Sequence, residues 1–483
     1  MTRTLDGLSD RIEPRQDRME KGTKRWPVVT MPLRATLLVF LGVLAPLAAA
    51  ELPKYAMRDL GELGGHYSQG NAINDAGLVA GEARTTPGGP YHAIVAGAGQ
   101  PILDLGTLGG NYSVAHDVNN AGQVAGTARM PSGVDYAFVI EPGEAMINLG
   151  GLGGGGSIGY AINDAGQVTG EALTAGGRPH AFVASTGQLM VDLGTLGGSD
   201  STGRAINDSG DVAGTSLTAD GYNHAFVAAA GQPMIDLGTL LGGTSSEAHD
   251  INASGQVTGI ASSRAFVASA NQPMISVGVL PGGTYSWGSA INDAGQVTGH
   301  ADVAGGHVHA FLAEVGQSMI DFGTLGGAES AGYAINDAGQ VTGEANTADG
   351  RPHAFVASAG QPMIDLGLLP GGTFSSGFAI NNAGQVTGWA GTPDGYHAFL
   401  ATPIPLLFSL LAEDVVGVVP DRHLIRDVTL ASAYYDAQDL QGTCSELAHF
   451  ESRVLRLPKK TPQAQKDDLI SQSTLIMDAI GCP

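Results

Sequence analysis

The stretch AINDAGQVTGEANTADGRPHAFVASAGQPMIDLG, at Ala334–Gly367, recurs in near-copies along most of this chain. What such a sequence must fold is a supersecondary module and its stacking, not a single continuous core. The asparagine of its I-N-x-x-G signature falls at Asn74, Asn119, Asn163, Asn207, Asn252, Asn292, Asn336 and Asn381, at spacings of 45, 44, 44, 45, 40, 44 and 45 residues. A period of that size is a propeller period. Each copy holds four short apolar runs parted by Gly-, Asx- or Pro-containing turns, the pattern of antiparallel strands joined in series. In the seventh copy the expected strands are Ser330–Asn336, Gln340–Glu344, His353–Ser358 and Met363–Leu366. The turn Asn336-Asp337-Ala338-Gly339 supplies Asx side chains that bond the backbone and a Gly that accepts positive φ.

The residues six, four and two places before the signature Asn are Ser, then Gly or Ala, then Ala or Asp, as in Ser68/Gly70/Ala72 and Ser375/Gly377/Ala379. That face of the first strand must carry small side chains, which suits the innermost strand of a blade, where strands converge on an axis. Bulk sits in the other strands: Val168, Val297 and Val341 in the second, Phe182, Phe311 and Phe355 in the third, Met190, Met319 and Met363 in the fourth. These side chains are expected to fill the space between blades.

The two ends of the array are out of phase. Tyr55-Ala-Met-Arg-Asp-Leu-Gly is a fourth strand with no first three before it, and the last repeat, Ser375–Ala401, has three strands and leaves the pattern at Pro403 and Pro405. Together the ends complete one blade. A ring closes by such an offset, whereas an open solenoid gains nothing from it and needs caps. The expected fold is an eight-bladed β-propeller of four-stranded antiparallel blades over residues 51–405, closed by the N-terminal strand Tyr55–Leu60.

Ahead of the array, residues 1–30 are polar and charged, and an apolar run from Ala35 to Leu47 ends in Ala48-Ala49-Ala50. Residues 1–50 thus read as a polar leader and a secretory signal peptide, with Met1 or Met31 as the true start and Glu51 as the mature N-terminus. The run is short for a membrane span, so no span is expected after cleavage, although an uncleaved anchor stays open. Removing those residues leaves 15 basic against 41 acidic side chains, a net charge of −26. A chain so acidic is not expected to bind nucleic acid or an anionic membrane. Glycine at 73 of 483 residues fits a turn-dense β protein, and 43% hydrophobic content excludes global disorder.

The third strands carry His180-Ala181-Phe182, His224-Ala225-Phe226, His309-Ala310-Phe311, His353-Ala354-Phe355 and His397-Ala398-Phe399, with Ile94, Tyr136 and Arg264 as departures. On these tripeptides the repeats resemble the HAF-repeat family of bacterial extracellular proteins over about Tyr55–Pro403. The resemblance implies export and a repeat fold, and no established activity.

Residues 406–483 change character, with little glycine and helical spacing, and read as a small α-helical C-terminal domain of three helices. Thr443-x-x-Glu446 is a capping-box signal, Thr461-Pro462 reads as N-cap and first helical position, and Gly481 as the residue after a helix end. The segment resembles the FIMAH domain of secreted bacterial proteins. Its Cys444 and Cys482 are the chain's two cysteines, and antiparallel packing of the helices would bring them together as a disulfide in an oxidising compartment. Two cysteines with no paired histidine make a poor zinc site, so no metal is expected.

Candidate chemistry is sparse. His92, His180, His224, His309, His353 and His397 occupy one strand position in separate blades, which spreads them around a ring, and they read as packing or hydrogen-bonding residues within each blade. The aspartates of D-L-G, or D-F-G at Asp321, read likewise (Asp59, Asp104, Asp192, Asp236, Asp321 and Asp365), with Asn148 and Ser276 replacing them in two copies. The GG pairs are not a dinucleotide fingerprint, since no helix follows them. No catalytic residue is assigned and no cofactor is expected. The most variable positions are crossover tips and nearby strand residues, among them Tyr67, Tyr112, Tyr285, Trp287 and Phe374, which form the candidate ligand-binding set; Tyr160, Tyr333 and Phe378 lie near them. Aromatic rings on one face can stack on sugars or cover blade junctions. The sequence therefore reads as a secreted or periplasmic, monomeric binding or scaffold protein with a glycan or protein ligand. The other reading is a propeller glycosidase or lyase acting on an envelope or extracellular polysaccharide.

Overall fold

The computed structural model describes residues 54–483 apart from 98, 142, 419 and 420. The leader and signal peptide read from residues 1–50 lie outside the described residues. Among the described residues the strands form eight four-stranded antiparallel sheets, each one blade of a closed propeller. We number the blades 1 to 8 by their inner strands, from Ser68–Ile73 to Ser375–Ile380. In blade 7 the strands are Gly326–Ile335, Val341–Thr347, Pro352–Ala357 and Ile364–Asp365. The outer strand is shorter than the expected Met363–Leu366, because its ladder holds only Phe355↔Asp365 and Val356↔Ile364. An outer strand this short presents little open edge to other chains.

Blade 8 is completed by the far end of the chain. Tyr55–Gly61 pairs antiparallel with Tyr396–Pro403, running from Tyr55↔Pro403 to Asp59↔Phe399. The signature asparagines close the ring a second time. Each Asn Nδ2 donates to the backbone carbonyl of the next blade's Asn at 2.9–3.1 Å, and Asn381 returns to Asn74 across 307 residues of sequence. Each Asn Oδ1 meanwhile accepts the amide N–H four residues on, as Asn336 does from Gln340, which fixes the hairpin turn. One side chain thus shapes its own blade and ties it to the next.

The invariant serine has a similar double role, beyond being small. Ser113 Oγ donates to the Gly106 carbonyl in the crossover and accepts the Ala93 amide of the preceding blade at 2.8 Å. Ser68 repeats this at the seam, donating to Gly61 and accepting from Ala398. The small residues between these serines are imposed by close approach of the blades: a Cβ on Gly203 would lie 2.3 Å from Thr169 Oγ1 of the preceding blade. Phe138, Phe182, Phe226, Phe266, Phe311, Phe355 and Phe399 are wholly buried between blades, and the fourth-strand Met190, Met319 and Met363 only half so.

The repeat histidines bond within their blades. His92, His180, His224, His309 and His353 each hold the D-L-G aspartate of the next strand through Nδ1 at about 2.9 Å, and His397 holds Asp59 at 2.8 Å. In blades 2 and 5, where Tyr136 and Arg264 replace the histidine, Asn148 and Ser276 replace the aspartate, so the pair is present or absent as a unit.

At the seam the hydrogen bond to Asp59 raises the His397 pKa; burial opposes it, and the charges of Asp59, Asp394 and Glu62 add to it. A raised folded-state pKa gives stability that is fully present below the ordinary value, about pH 6.5, and is lost as pH rises through the raised value. Wild type should therefore exceed Asp59→Asn in urea stability at about pH 6, by a margin that shrinks as pH rises above about 6.5. A margin constant across that range would refute the coupling.

The C-terminal segment holds four helices among the described residues, where three were expected: α1 Ile404–Val418, α2 Arg422–Asp436, α3 Leu440–Leu455 and α4 Gln463–Ile480. The N-cap of α3 is Asp439, which accepts the Gly442 amide, and Thr443 lies inside the helix with Oγ1 donating to the Asp439 carbonyl. The capping-box reading was therefore one turn late. Pro462, with no side chain to cap, takes the N-cap position of α4, and Gly481 ends the helix at φ 78° as expected. The disulfide Cys444–Cys482 is present, with the Cα atoms 5.5 Å apart. Among the described residues no helix is long and apolar enough to cross a membrane.

Candidate functional site

In a blade the first strand runs from the crossover end of the central channel to the Asn turn at the other. The loops joining second and third strands share the crossover end. The repeats stop being copies three places before the signature Asn, where the blades carry Asn71, His116, Tyr160, Arg204, His249, Ser289, Tyr333 and Phe378. The neighbouring position, five before the Asn, adds Thr202, Glu247 and Trp287. On the side of blades 3 to 6, Tyr160, Thr202, Arg204, Glu247, His249 and Trp287 line a cavity of about 660 Å³ with Asp200, Thr215 and Asn223. That volume lies in the range of small-molecule and short-oligomer sites.

The cavity wall is held in place by contacts between blades. Trp287 of blade 6 stacks on His249 of blade 5, with ring centroids 4.4 Å apart and planes at 22°, and His300 lies beyond Trp287 at 6.2 Å. His249 is oriented by its Nδ1, which donates to the Gly288 carbonyl at 2.6 Å. Burial lowers the His249 pKa, with Arg204 acting the same way and the Gly288 bond and Glu247 acting against it. A neutral His249 keeps Nε2 as an acceptor. Thr202 Oγ1 donates to Glu171 at 2.7 Å. Asp200 accepts from Ser199 at 2.8 Å and lies 3.8 Å from Arg178. Arg204 lies over the Tyr160 ring at 5.3 Å, and on its other side Tyr160 meets His116, which burial pulls down to about 4.

The short spacing from Asn252 to Asn292 acquires a role here. Blade 5 joins its second and third strands through only Ser262 and Ser263, both at positive φ, in a two-residue hairpin turn. No residue of that turn lines the cavity, whereas blade 4, with its longer loop, contributes Asn223 from the start of its third strand.

Of the five residues singled out from sequence, Trp287 lines the cavity. Tyr67 and Phe374 meet at the seam of blades 8 and 1, where both pack edge-on to Trp389, at 6.2 and 5.4 Å, with Tyr396 beside them. Tyr112 lies under the Arg129 guanidinium at 5.2 Å, and Tyr285 lies 5.9 Å from His300. Sequence reading missed Arg204, Glu247, His249 and Thr202. Their signal in the sequence is divergence at two fixed offsets from the invariant signature Asn.

Two further carboxylates sit in the channel wall where other blades have Ala. Asp117 and Asp250 each accept the amide of the next blade's Ile, Ile162 and Ile291, at 2.9 Å. Burial pushes both up to about 6, against the pull of those amides. They act as blade-to-blade ties. Among the described residues no cluster of His, Cys, Asp and Glu has the makings of a metal site.

No protein-family model and no curated protein matches the chain. Among solved structures it is similar to the BP39L lectin of Burkholderia pseudomallei, at 10% identity over 65% of this chain and 98% of the lectin, TM-score 0.35. It is similar as well to a puromycin-hydrolysing peptidase of Mycobacterium tuberculosis, at 11% identity over 65% of this chain and 56% of the peptidase, TM-score 0.42. A third is a Trypanosoma rangeli sialidase, at 9% identity over 76% of this chain and 62% of the enzyme, TM-score 0.29. Likeness at these values bears on no activity.

Proposed function

We propose that this protein is an exported binding module that takes an oligosaccharide into the cavity at the crossover end of blades 3 to 6. The observation that carries the reading is the composition of that cavity. Tyr160 and Trp287 offer ring surface, and Thr202, Thr215, Asn223 and Glu247 offer closely spaced polar atoms to sugar hydroxyls. A ligand rich in hydroxyls with apolar ring faces matches both. The disulfide supports export, since such bonds persist in oxidising compartments. The repeat tripeptides support a place among the HAF-repeat proteins.

The second reading, a glycosidase or lyase, draws on Asp200 and Glu247 lining the same cavity. It is the weaker one because Asp200 accepts from Ser199 on Oδ2, and its other oxygen, though without a hydrogen bond, is buried 3.8 Å from Arg178. The test is calorimetry of the exported protein, with N-terminus at Glu51, against an oligosaccharide panel. Trp287→Ala should weaken binding by about 2 kcal/mol, roughly thirtyfold, as for a central aromatic contact. Absence of any glycan binding by the wild type would end the proposal. Release of new reducing ends during long incubation would favour the enzyme.

A further inference from the structure

We propose that the glycan is acidic, and that Arg204 selects it by binding the carboxylate of a uronate-type sugar. This rests on the glycan-binding reading above and narrows it. Among the residues lining the cavity, Arg204 is the one arginine or lysine, and burial lowers the pKa of the wall's His249. It sits in a chain where, past residue 50, 15 basic residues face 41 acidic ones. In such a chain an arginine would be expected to find a carboxylate, yet among the described residues no ion pair joins Arg204 to one. Its position is fixed instead by the face of Tyr160, 5.3 Å from the guanidinium carbon. A guanidinium laid on an aromatic ring keeps its in-plane N–H donors free, and those donors match the two oxygens of a carboxylate.

Glu171 receives the Thr202 hydroxyl, and Asp200 takes the Ser199 hydroxyl on Oδ2 while its Oδ1 is buried without a hydrogen bond, 3.8 Å from Arg178, which leaves Glu247 as the open carboxylate of the wall. A carboxylate is an acceptor only, so Glu247 asks for donors, and sugar hydroxyls supply them. One cation and one open acceptor on adjacent blades thus describe a ligand with a single negative group beside several hydroxyls, which is a sugar acid. The net negative charge of the whole protein works against long polyanions, so a short segment bearing few charges is the fitting form.

The experiment compares trisaccharides of galacturonate, mannuronate and glucuronate with their methyl esters, binding wild type, Arg204→Gln and Arg204→Lys. Esterification removes the charge and keeps the hydroxyls. Because salt both screens the Arg204 contact and relieves the overall repulsion, the ratio of acid to ester affinity is the quantity to read. Wild type should prefer at least one acid over its ester by about tenfold or more, the worth of a charge-assisted pair. Arg204→Gln, at an exposed position that should not disturb folding, should abolish the preference for acid over ester; Arg204→Lys should keep part of the preference. Esters bound as tightly as acids by wild type, or a preference that survives in Arg204→Gln, would overturn the assignment while the glycan reading stands. Failure of wild type to bind any acid, ester or neutral oligosaccharide would overturn both.

Discussion

Deleting Tyr55–Gly61 is expected to open the ring and to destabilise blade 8 at a point some 340 residues away in sequence. The deletion leaves the edge of Tyr396–Pro403 unpaired and removes the Asp59 partner of His397 and the Gly61 carbonyl that Ser68 bonds. Six register pairs vanish with it, which at about 1 kcal/mol per hydrogen bond is on the order of 5 kcal/mol. That is comparable with the whole stability of many domains. An unpaired strand also seeks another chain, so the truncated protein should associate. Hydrogen exchange at residues 397–401 and light scattering read the two effects. Unchanged protection there, with a monodisperse monomer, would mean that the ring does not depend on this strand.

That closure was legible in the sequence, because a phase offset between the two ends of the repeat array is a property of the sequence itself. The blade number was legible from the eight signature asparagines. The reasons for the repeat's residues were less so. Ser68 and its counterparts read as small, and their bridging hydroxyls emerge only when the preceding blade's Ala amide stands opposite. The His–Asp pair was within reach, since Tyr136 goes with Asn148 and Arg264 with Ser276 inside the same blades. The cavity was not, because Tyr160 and Trp287 are far apart in sequence and become neighbours only through the curvature of four successive blades. The C-terminal segment misled for another reason. Thr443 and Glu446 satisfy the capping pattern as well as Asp439 satisfies a simple N-cap, and local sequence does not decide between two caps one turn apart.

Reduction of Cys444–Cys482 is expected to loosen the helices first and the closing strand next. The bridge joins residues 38 apart, and the loop-closure entropy it removes from the unfolded chain is worth about 4 kcal/mol. It ties the first turns of α3 to the end of α4, whose buried Leu469, Ile476 and Ile480 belong to one core with Phe408, Leu447 and Phe450. Ala56 of the closing strand is a member of that same core, and the Ile404 amide donates to the Lys54 carbonyl just ahead of the strand. The helical segment is thereby a clasp over the place where the ring is joined without a covalent bond. Loss of the bridge should therefore lower protection of amides in α3 and α4 and, with them, in Tyr55–Gly61, while the inner strands of blades 2 to 6 keep theirs. Hydrogen exchange on the Cys444→Ser, Cys482→Ser protein measures all three regions at once. Helices that loosen while Tyr55–Gly61 stays fully protected would show that the strand is held by Tyr396–Pro403 alone. In that case the burial of Ala56 among the helices anchors them to the propeller without lending the seam any strength.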